Sequence, residues 1–183
     1  MDSTLDEWLD RCVAYHGHLC MGQALGVRLA LKGMELVGTR DPKRMIVFIE
    51  IDRCIADAIQ VVTGTRIGRR SAKLVNVGKM AATFLDADSG SAWRVNVAGG
   101  SRALGHGEEA CRAALRIPDA ELLAWRPVRV RVEPMDMPGK PMRKVACARC
   151  GEWVFDGKDV PGPEGALCPS CATGAYYSEA EPA

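Results

Sequence analysis

Four cysteines toward the C-terminal end stand in two pairs, Cys147-Ala148-Arg149-Cys150 and Cys168-Pro169-Ser170-Cys171, seventeen residues apart. Each C-x-x-C turn aims two thiolates at one point, and a tetrahedral zinc ion takes four such ligands. The spacing predicts a structural zinc ribbon held by Cys147, Cys150, Cys168 and Cys171, ahead of free thiols or a redox pair. Between the pairs, Gly157, Pro161, Gly162, Pro163 and Gly165 suit a returning hairpin. So small a unit has little core, and zinc would supply much of its folding energy. A second concentration of donors lies near the other end. His16-Gly17-His18-Leu19-Cys20 packs two imidazoles and a thiol into five residues. Zinc, nickel, copper and iron accept these donors, and Gly17 allows a turn that brings both rings to one side. Core histidines with ordinary hydrogen-bond partners are the alternative reading.

Cys54 adds to this chemistry. It follows Asp52-Arg53 at the expected first turn of a helix, where free backbone N–H groups, the helix dipole and Arg53 favour a low-pKa thiolate. Such a thiol is both ligand and nucleophile; a small buried hydrophobe is the plainer reading. Cys12 and Cys111 fall on apolar helical stripes and are read as core. Arg66, Arg69, Arg70, Lys73 and Lys79 form a run of five cations with no acid between residues 66 and 79. It is either a solvated face or, with Gly64 and Gly68 beside it, a loop that closes on an anionic substrate. His106, between two glycines, is a third imidazole available to either site.

These residues need elements to hold them. Thr4 and Glu7 form a capping box ahead of a Leu5, Trp8, Leu9, Cys12, Val13 stripe, which predicts a first helix ending at the His16-Gly17-His18 break. A second helix is expected from Gly22 to Lys32, ended near Gly33. Met45 to Ile51 reads as a buried strand, and Cys54 to Val62 as a helix with Gly64 as its cap. Strands are expected at 79–85 and 92–98, a helix at 107–115, and a further helical turn opened by Pro118. Val128–Val132 alternates Val and Arg, the pattern of a half-exposed strand. Helices, then strands, then helices make an α+β order.

Across all 183 residues, 48% are hydrophobic and 26% charged, enough for an aliphatic core, since only 5% are aromatic. The net charge of +1 argues against a general nucleic-acid coat. No apolar run approaches the roughly 18–20 residues of a membrane span. The acidic start lacks a signal-peptide layout, and the expectation is a cytoplasmic protein. Pro134, Pro138, Gly139 and Pro141 mark a linker at 134–144, between a core at 1–133 and a ribbon at 145–176, with a tail at 177–183. Within the ribbon, Arg149 and Lys158 face four acids, Glu152, Asp156, Asp159 and Glu164, which speaks against phosphate binding. Trp153 and Phe155 are either a protein-contact patch or packing for the ribbon itself.

Three segments together resemble the FmdE family, named for the E subunit of formylmethanofuran dehydrogenase: His16-Gly17-His18-Leu19-Cys20-Met21-Gly22, the stretch from Asp52-Arg53-Cys54 to Val62-Thr63-Gly64, and Gly78-Lys79-Met80-Ala81-Ala82-Thr83-Phe84. The resemblance covers roughly residues 8 to 130, and many members carry a similar ribbon. It implies an FmdE-like α+β core with an appended zinc-ribbon domain, a homodimer, and a transition-metal site where the His-Gly-His motif meets the Asp-x-Cys helix. His18 and Cys54 are then the first-choice ligands, with His16 and Cys20 close behind. Asp57, one turn after Cys54, is a candidate for orienting a ligand or for acid/base work. Two departures stand out: Met21 where the family commonly has Pro, and Thr65 where it commonly has Cys. The second weakens a dithiol or iron–sulfur proposal and leaves a mononuclear His/Cys site intact.

The first expectation is therefore a metal-binding protein with a structural zinc ribbon and a Zn, Ni or Fe site in its core. That site would act on a small anionic or sulfur-containing substrate through Cys54 and Asp57, with Arg66, Arg69 and Lys79 binding the anion. The second is a non-catalytic accessory or maturation factor of a molybdenum or tungsten formylmethanofuran-dehydrogenase-type oxidoreductase. A zinc-ribbon regulator that binds nucleic acid ranks last, because the ribbon is acidic.

Overall fold

Thr4 caps the first helix from both sides of its turn. In the computed structural model, which describes residues 4–99 and 104–180, its hydroxyl accepts the Glu7 N–H while the Glu7 carboxylate accepts the Thr4 N–H. The helix so started, α1 (Leu5–His16), buries Leu9 and Cys12 and stops where Gly17 takes a left-handed φ of 93°. After it come α2 (Met21–Val37), β1 (Met45–Ile49) and α3 (Cys54–Thr63). A 3₁₀ turn at Ile67–Arg69 leads into β2 (Ala72–Leu74), followed by β3 (Ala81–Asp86) and β4 (Ala92–Val97). Two short helices, α4 (Glu108–Ala114) and α5 (Asp119–Leu122), run into β5 (Leu123–Pro127). The fold is α+β.

The five strands form one sheet in the order β2-β1-β3-β4-β5. Only the β1–β2 pairing is parallel, with α3 lying between them in sequence; the other three are antiparallel. One sheet face carries Val47, Ile49, Ala82, Phe84 and Val95 into a core shared with the helices. At the centre of that core is α2, buried without interruption from Gln23 to Ala30. Three of its glycines explain how close its neighbours come. A Cβ at Gly22 would stand 2.9 Å from the Cys54 Cβ, one at Gly26 2.5 Å from the Ala58 Cβ, and one at Gly33 2.3 Å from the Phe84 ring. The first two draw α3 against α2 along one stripe, and the third lets the sheet's largest buried side chain lie flat on the helix.

Two expectations are corrected here. The second helix does not end near Gly33 but runs to Val37, where Gly38 supplies the left-handed cap at φ 76°. Gly33 is a packing glycine, and its role is invisible without Phe84. Nor is Val128–Val132 a strand. The last sheet pairing instead uses Leu123–Pro127, in register from Val97↔Leu123 to Trp93↔Pro127, and ladder bonding ends with the Val128 N–H on the Ala92 carbonyl at 3.0 Å. The Val/Arg alternation lies beyond the end of β4, the strand that pairs with β5. Sequence reading also missed β2, which at three residues is too short to show a period.

The chain divides into two compact units, Met1–Arg131 and Val132–Ala183. In the second, a 3₁₀ turn at Pro134–Asp136 precedes β6 (Lys144–Ala146) and β7 (Trp153–Phe155), which pair antiparallel. A second hairpin, β8 (Val160–Gly162) with β9 (Gly165–Leu167), is followed by the single turn of α6 (Pro169–Thr173). The buried cluster of this unit is only Cys147, Val154 and Leu167. Arg143 forks onto Asp159 at 2.8 and 2.9 Å, and Asp136 accepts from Lys158 at 3.3 Å. Among the described residues no helix is long and apolar enough to cross a membrane.

Candidate metal centres

Three helix ends meet at the first centre. His16 is the last residue of α1, Cys20 is the N-cap of α2, and Cys54 is the first residue of α3. The left-handed Gly17 turns the chain so that His18 joins them. One donor atom from each of His16, His18, Cys20 and Cys54 lies within 4.8 Å of all the others. Four nitrogen and sulfur donors at that spacing can surround one tetrahedral ion. The structure brings together all four residues that the sequence offered as core-site donors.

The group's surroundings fit an ion. His16 Nδ1 lies 2.7 Å from a carboxylate oxygen of Asp57. Asp57 is on α3 one turn after Cys54, so one helix supplies both a donor and the residue that orients another. A carboxylate accepts only, so Nδ1 carries the proton and Nε2 presents its lone pair. That Nε2 is buried and among the described residues has no hydrogen-bond partner, an arrangement that is costly unless something else meets the lone pair. Gln23, buried in the first turn of α2, donates to the Cys54 carbonyl at 2.6 Å and so fixes the backbone of the first turn of α3. Gly22 removes the side chain that would otherwise fill the space between Cys20 and Cys54.

One electrostatic expectation is reversed. Burial pushes the Cys54 thiol above its ordinary value, and hydrogen bonding to the Cys20 thiol pushes the same way. Without a cation, desolvation and a neighbouring sulfur outweigh the helix N-terminus and the exposed Arg53. Cys12 is pushed further, to about 12, by burial, and as expected it is a core residue.

Beside the group opens a cavity of about 430 Å³, whose lining includes His16, Cys54 and Asp57. Its walls are apolar at Ile49, Ile67 and Leu74, with Asp52 and Arg53 among the lining charges. None of the five cations of the 66–79 run lines this cavity, although Ile67 and Leu74 of the same stretch do. Arg66 donates to the carbonyls of Gln60 and Thr65, where it closes the C-terminal end of α3. Arg69 and Lys79 are exposed, and neither lines this cavity. His106 is exposed and outside both donor groups. Sequence reading missed Arg53 as the cavity's cation and Gln23 as a support. A glutamine inside an otherwise apolar helical run was the available signal.

The second centre is built on two turns. The Gly151 N–H closes the first onto the Cys147 carbonyl at 2.9 Å, and the Cys171 N–H donates to Cys168 Sγ at 3.3 Å in the second. The donor atoms of Cys147, Cys150, Cys168 and Cys171 lie within 4.8 Å of one another. Backbone N–H groups of Cys150 and Cys168 bring the Cys147 thiol down to about 6, so this sulfur is predisposed to be a thiolate ligand. Two hairpins joined through four clustered sulfurs fit a zinc ribbon. On β7, Val154 points inward while Trp153 and Phe155 are 57% and 41% exposed, with Lys144 Nζ 4.1 Å from the Trp153 ring centre.

Residues 15–123 match the family model described as FmdE, Molybdenum formylmethanofuran dehydrogenase operon, and this stretch holds the whole first donor group. The chain belongs to the FmdE family. It shares the fold of a tungsten formylmethanofuran dehydrogenase FmdE-like protein from Syntrophus aciditrophicus, known from a crystal structure. The TM-score is 0.68 at 21% identity, covering 97% of this chain and 96% of that one. It is also 27% identical, over 210 aligned positions and 96% of its length, to a probable S-adenosyl-L-methionine-binding protein of Archaeoglobus fulgidus. The chain spans about half of that relative, 55%. In this FmdE chain the departure at Thr65 is a buried hydroxyl paired with that of Thr63 at 2.7 Å. The departure at Met21 opens α2 directly after the Cys20 donor.

Proposed function

We propose that the protein binds two metal ions: a structural zinc in the ribbon, and a zinc, nickel or iron ion in the core that meets a small anionic or sulfur-containing ligand. The observation that carries the core site is the buried, unpartnered His16 Nε2, turned among three further donors by the Asp57 bond to the opposite ring nitrogen. His16, His18, Cys20 and Cys54 hold the ion, which when bound supplies Lewis acidity. Asp57 orients His16, Gln23 steadies the first turn of α3, and the apolar cavity wall excludes water beside Cys54. Arg53 is placed to receive an anionic group of a ligand, and Asp52 a cationic one. That a relative is named a probable S-adenosyl-L-methionine-binding protein supports a sulfur-bearing ligand class. Arg69 and Lys79 would act only in drawing an anion toward that face. A cytoplasmic homodimer is part of this reading.

The test is metal content by elemental analysis of protein purified without added metal. Wild type should carry two ions per chain, Cys54→Ala one, and the double variant Cys147→Ala/Cys150→Ala one, each lost from a different site. If Cys54→Ala changed neither content nor uptake of zinc, nickel and iron, the core-site reading would be wrong.

A second reading has its own support. Trp153 and Phe155 flank Lys144 on an exposed face of the ribbon, which suits an accessory or maturation factor docking on a molybdenum or tungsten oxidoreductase. Here replacing both aromatics would abolish capture of the partner while leaving both metal contents intact. The acidic ribbon leaves nucleic acid the weakest candidate partner.

A further inference from the structure

His16 and His18 are different kinds of donor although a single glycine separates them. His16 is half-buried, and Asp57 holds it through Nδ1 at 2.7 Å. His18 is exposed, and among the described residues its ring makes no hydrogen bond; the ring beside it is that of His16, 4.5 Å away between centroids. The turn that carries it is held by backbone alone, through the Gly17 N–H on the Val13 carbonyl at 2.8 Å. Gly17 sits at φ 93°, and a Cβ built there would meet nothing within 4 Å. The two cysteines, by contrast, sit on helix first turns, and the backbone of Cys54 is tied to buried Gln23. Three donors are thus fixed by the fold. The side chain of the fourth is held by no hydrogen bond among the described residues, and only its backbone is fixed, by the turn between α1 and α2.

We propose that His18 is the exchangeable ligand of the core site, yielding its coordination position to a small soft donor from solution, an imidazole or a thiolate, while His16, Cys20 and Cys54 retain the ion. This rests on the metal-binding reading of the core. The exchange breaks one metal–nitrogen bond and makes one bond to the incoming donor, with no change in oxidation state. It converts a closed four-ligand set, the structural pattern, into three protein ligands and an open position, the pattern of catalytic and transfer sites. The exposure of His18 means that the vacated position faces water.

The experiment uses full-length protein with zinc in the ribbon and cobalt(II) in the core, followed by visible absorption, with Cys54→Ala as the reference. His18→Gly should still take core cobalt, about tenfold more weakly, at the lower end of losses seen for supporting groups around metals. Added imidazole should then restore the tetrahedral bands. His16→Gly should not be restored, because His16 Nε2 is buried and a free imidazole there would have to be seated on Asp57 as well as on the ion. Ethanethiol should add a sulfur-to-cobalt band to wild type and to His18→Gly. Ribbon zinc content and far-UV circular dichroism confirm that each variant is folded. Rescue of His16→Gly but not of His18→Gly would overturn the assignment, as would a core cobalt spectrum that His18→Gly leaves unchanged. If wild type and Cys54→Ala held equal cobalt with identical spectra, the core-site reading itself would fail, and this inference with it.

Discussion

Gly26 on α2 lies so near Ala58 on α3 that a Cβ at the glycine would stand 2.5 Å from the alanine Cβ and 3.1 Å from the Ile55 carbonyl oxygen. Both of those atoms belong to the helix that carries Cys54 and Asp57. The distance between the two helices is therefore also the setting of the donor group.

Gly26→Ala should destabilise the protein by about 1–3 kcal/mol, the usual range for overpacking a tight interior. That loss outweighs the roughly 1 kcal/mol that alanine gains over glycine in a helix. Urea denaturation would measure it. Core metal content should fall as α3 is pushed outward, while ribbon zinc is unchanged.

Asp57→Ala removes the acceptor that turns His16. The expected outcome is a roughly 10–100-fold weaker core site, the range typical for losing an outer carboxylate partner of a ligating histidine. Competition with a chromophoric chelator would read it. Global stability should change far less than affinity, because Asp57 is partly exposed and lies at the site's edge.

Cys147→Ser/Cys150→Ser should remove ribbon zinc and unfold the second unit, whose own buried cluster amounts to Cys147, Val154 and Leu167. Tryptophan emission from Trp153 should change while most far-UV helix signal remains, since α1, α2 and α3 belong to the other unit. Excess chelator on wild type should give the same change.

Asp86 supplies an acid-dependent contribution. Burial pushes its carboxyl up, yet the Ser89 hydroxyl, the Arg44 guanidinium and the Asp88 N–H together hold it below its ordinary value of 3.8. A lowered folded value means stability present above the ordinary carboxylate range and lost as pH falls through the folded value. Asp86→Asn should therefore lose about 1–3 kcal/mol at neutral pH, as for a buried hydrogen-bond group left underpaired. The gap from wild type should close below about pH 4. Thermal unfolding across roughly pH 3 to 7 would check both.

Much of the fold was legible because its signals are local. The Thr4/Glu7 box, the α1 stripe and the Gly64 stop each sit within a few residues of what they control. Gly33 and β2 were not legible for the opposite reason. A glycine in a helix reads as a stop until Phe84 is known to lie on it, and three residues of edge strand carry no period. The Val128–Val132 alternation shows the converse error, a pattern that finds no partner strand among the described residues. At the site, both C-x-x-C pairs and the His-Gly-His-Leu-Cys run announce their chemistry within a few residues. Joining Cys54 to them required the family resemblance, since that contact depends on Gly22 and Gly26 bringing two helices together. The basic run could not be assigned a direction, because charge density says nothing about where side chains point. Arg66 is turned onto the carbonyls at the end of α3, and the cavity's cation is the less conspicuous Arg53.

The donors of the core group come from the close of one helix and the openings of two others. An ion held there would pin all three, and peeling any one of them away would cost it a donor. Resistance to unfolding then tracks supply: each tenfold rise in free metal above the dissociation constant adds about 1.4 kcal/mol to the folded state. In a metal-starved cell the same chain would breathe more, be cut sooner by proteases and decline in abundance, so that its lifetime would report the metal status of its surroundings.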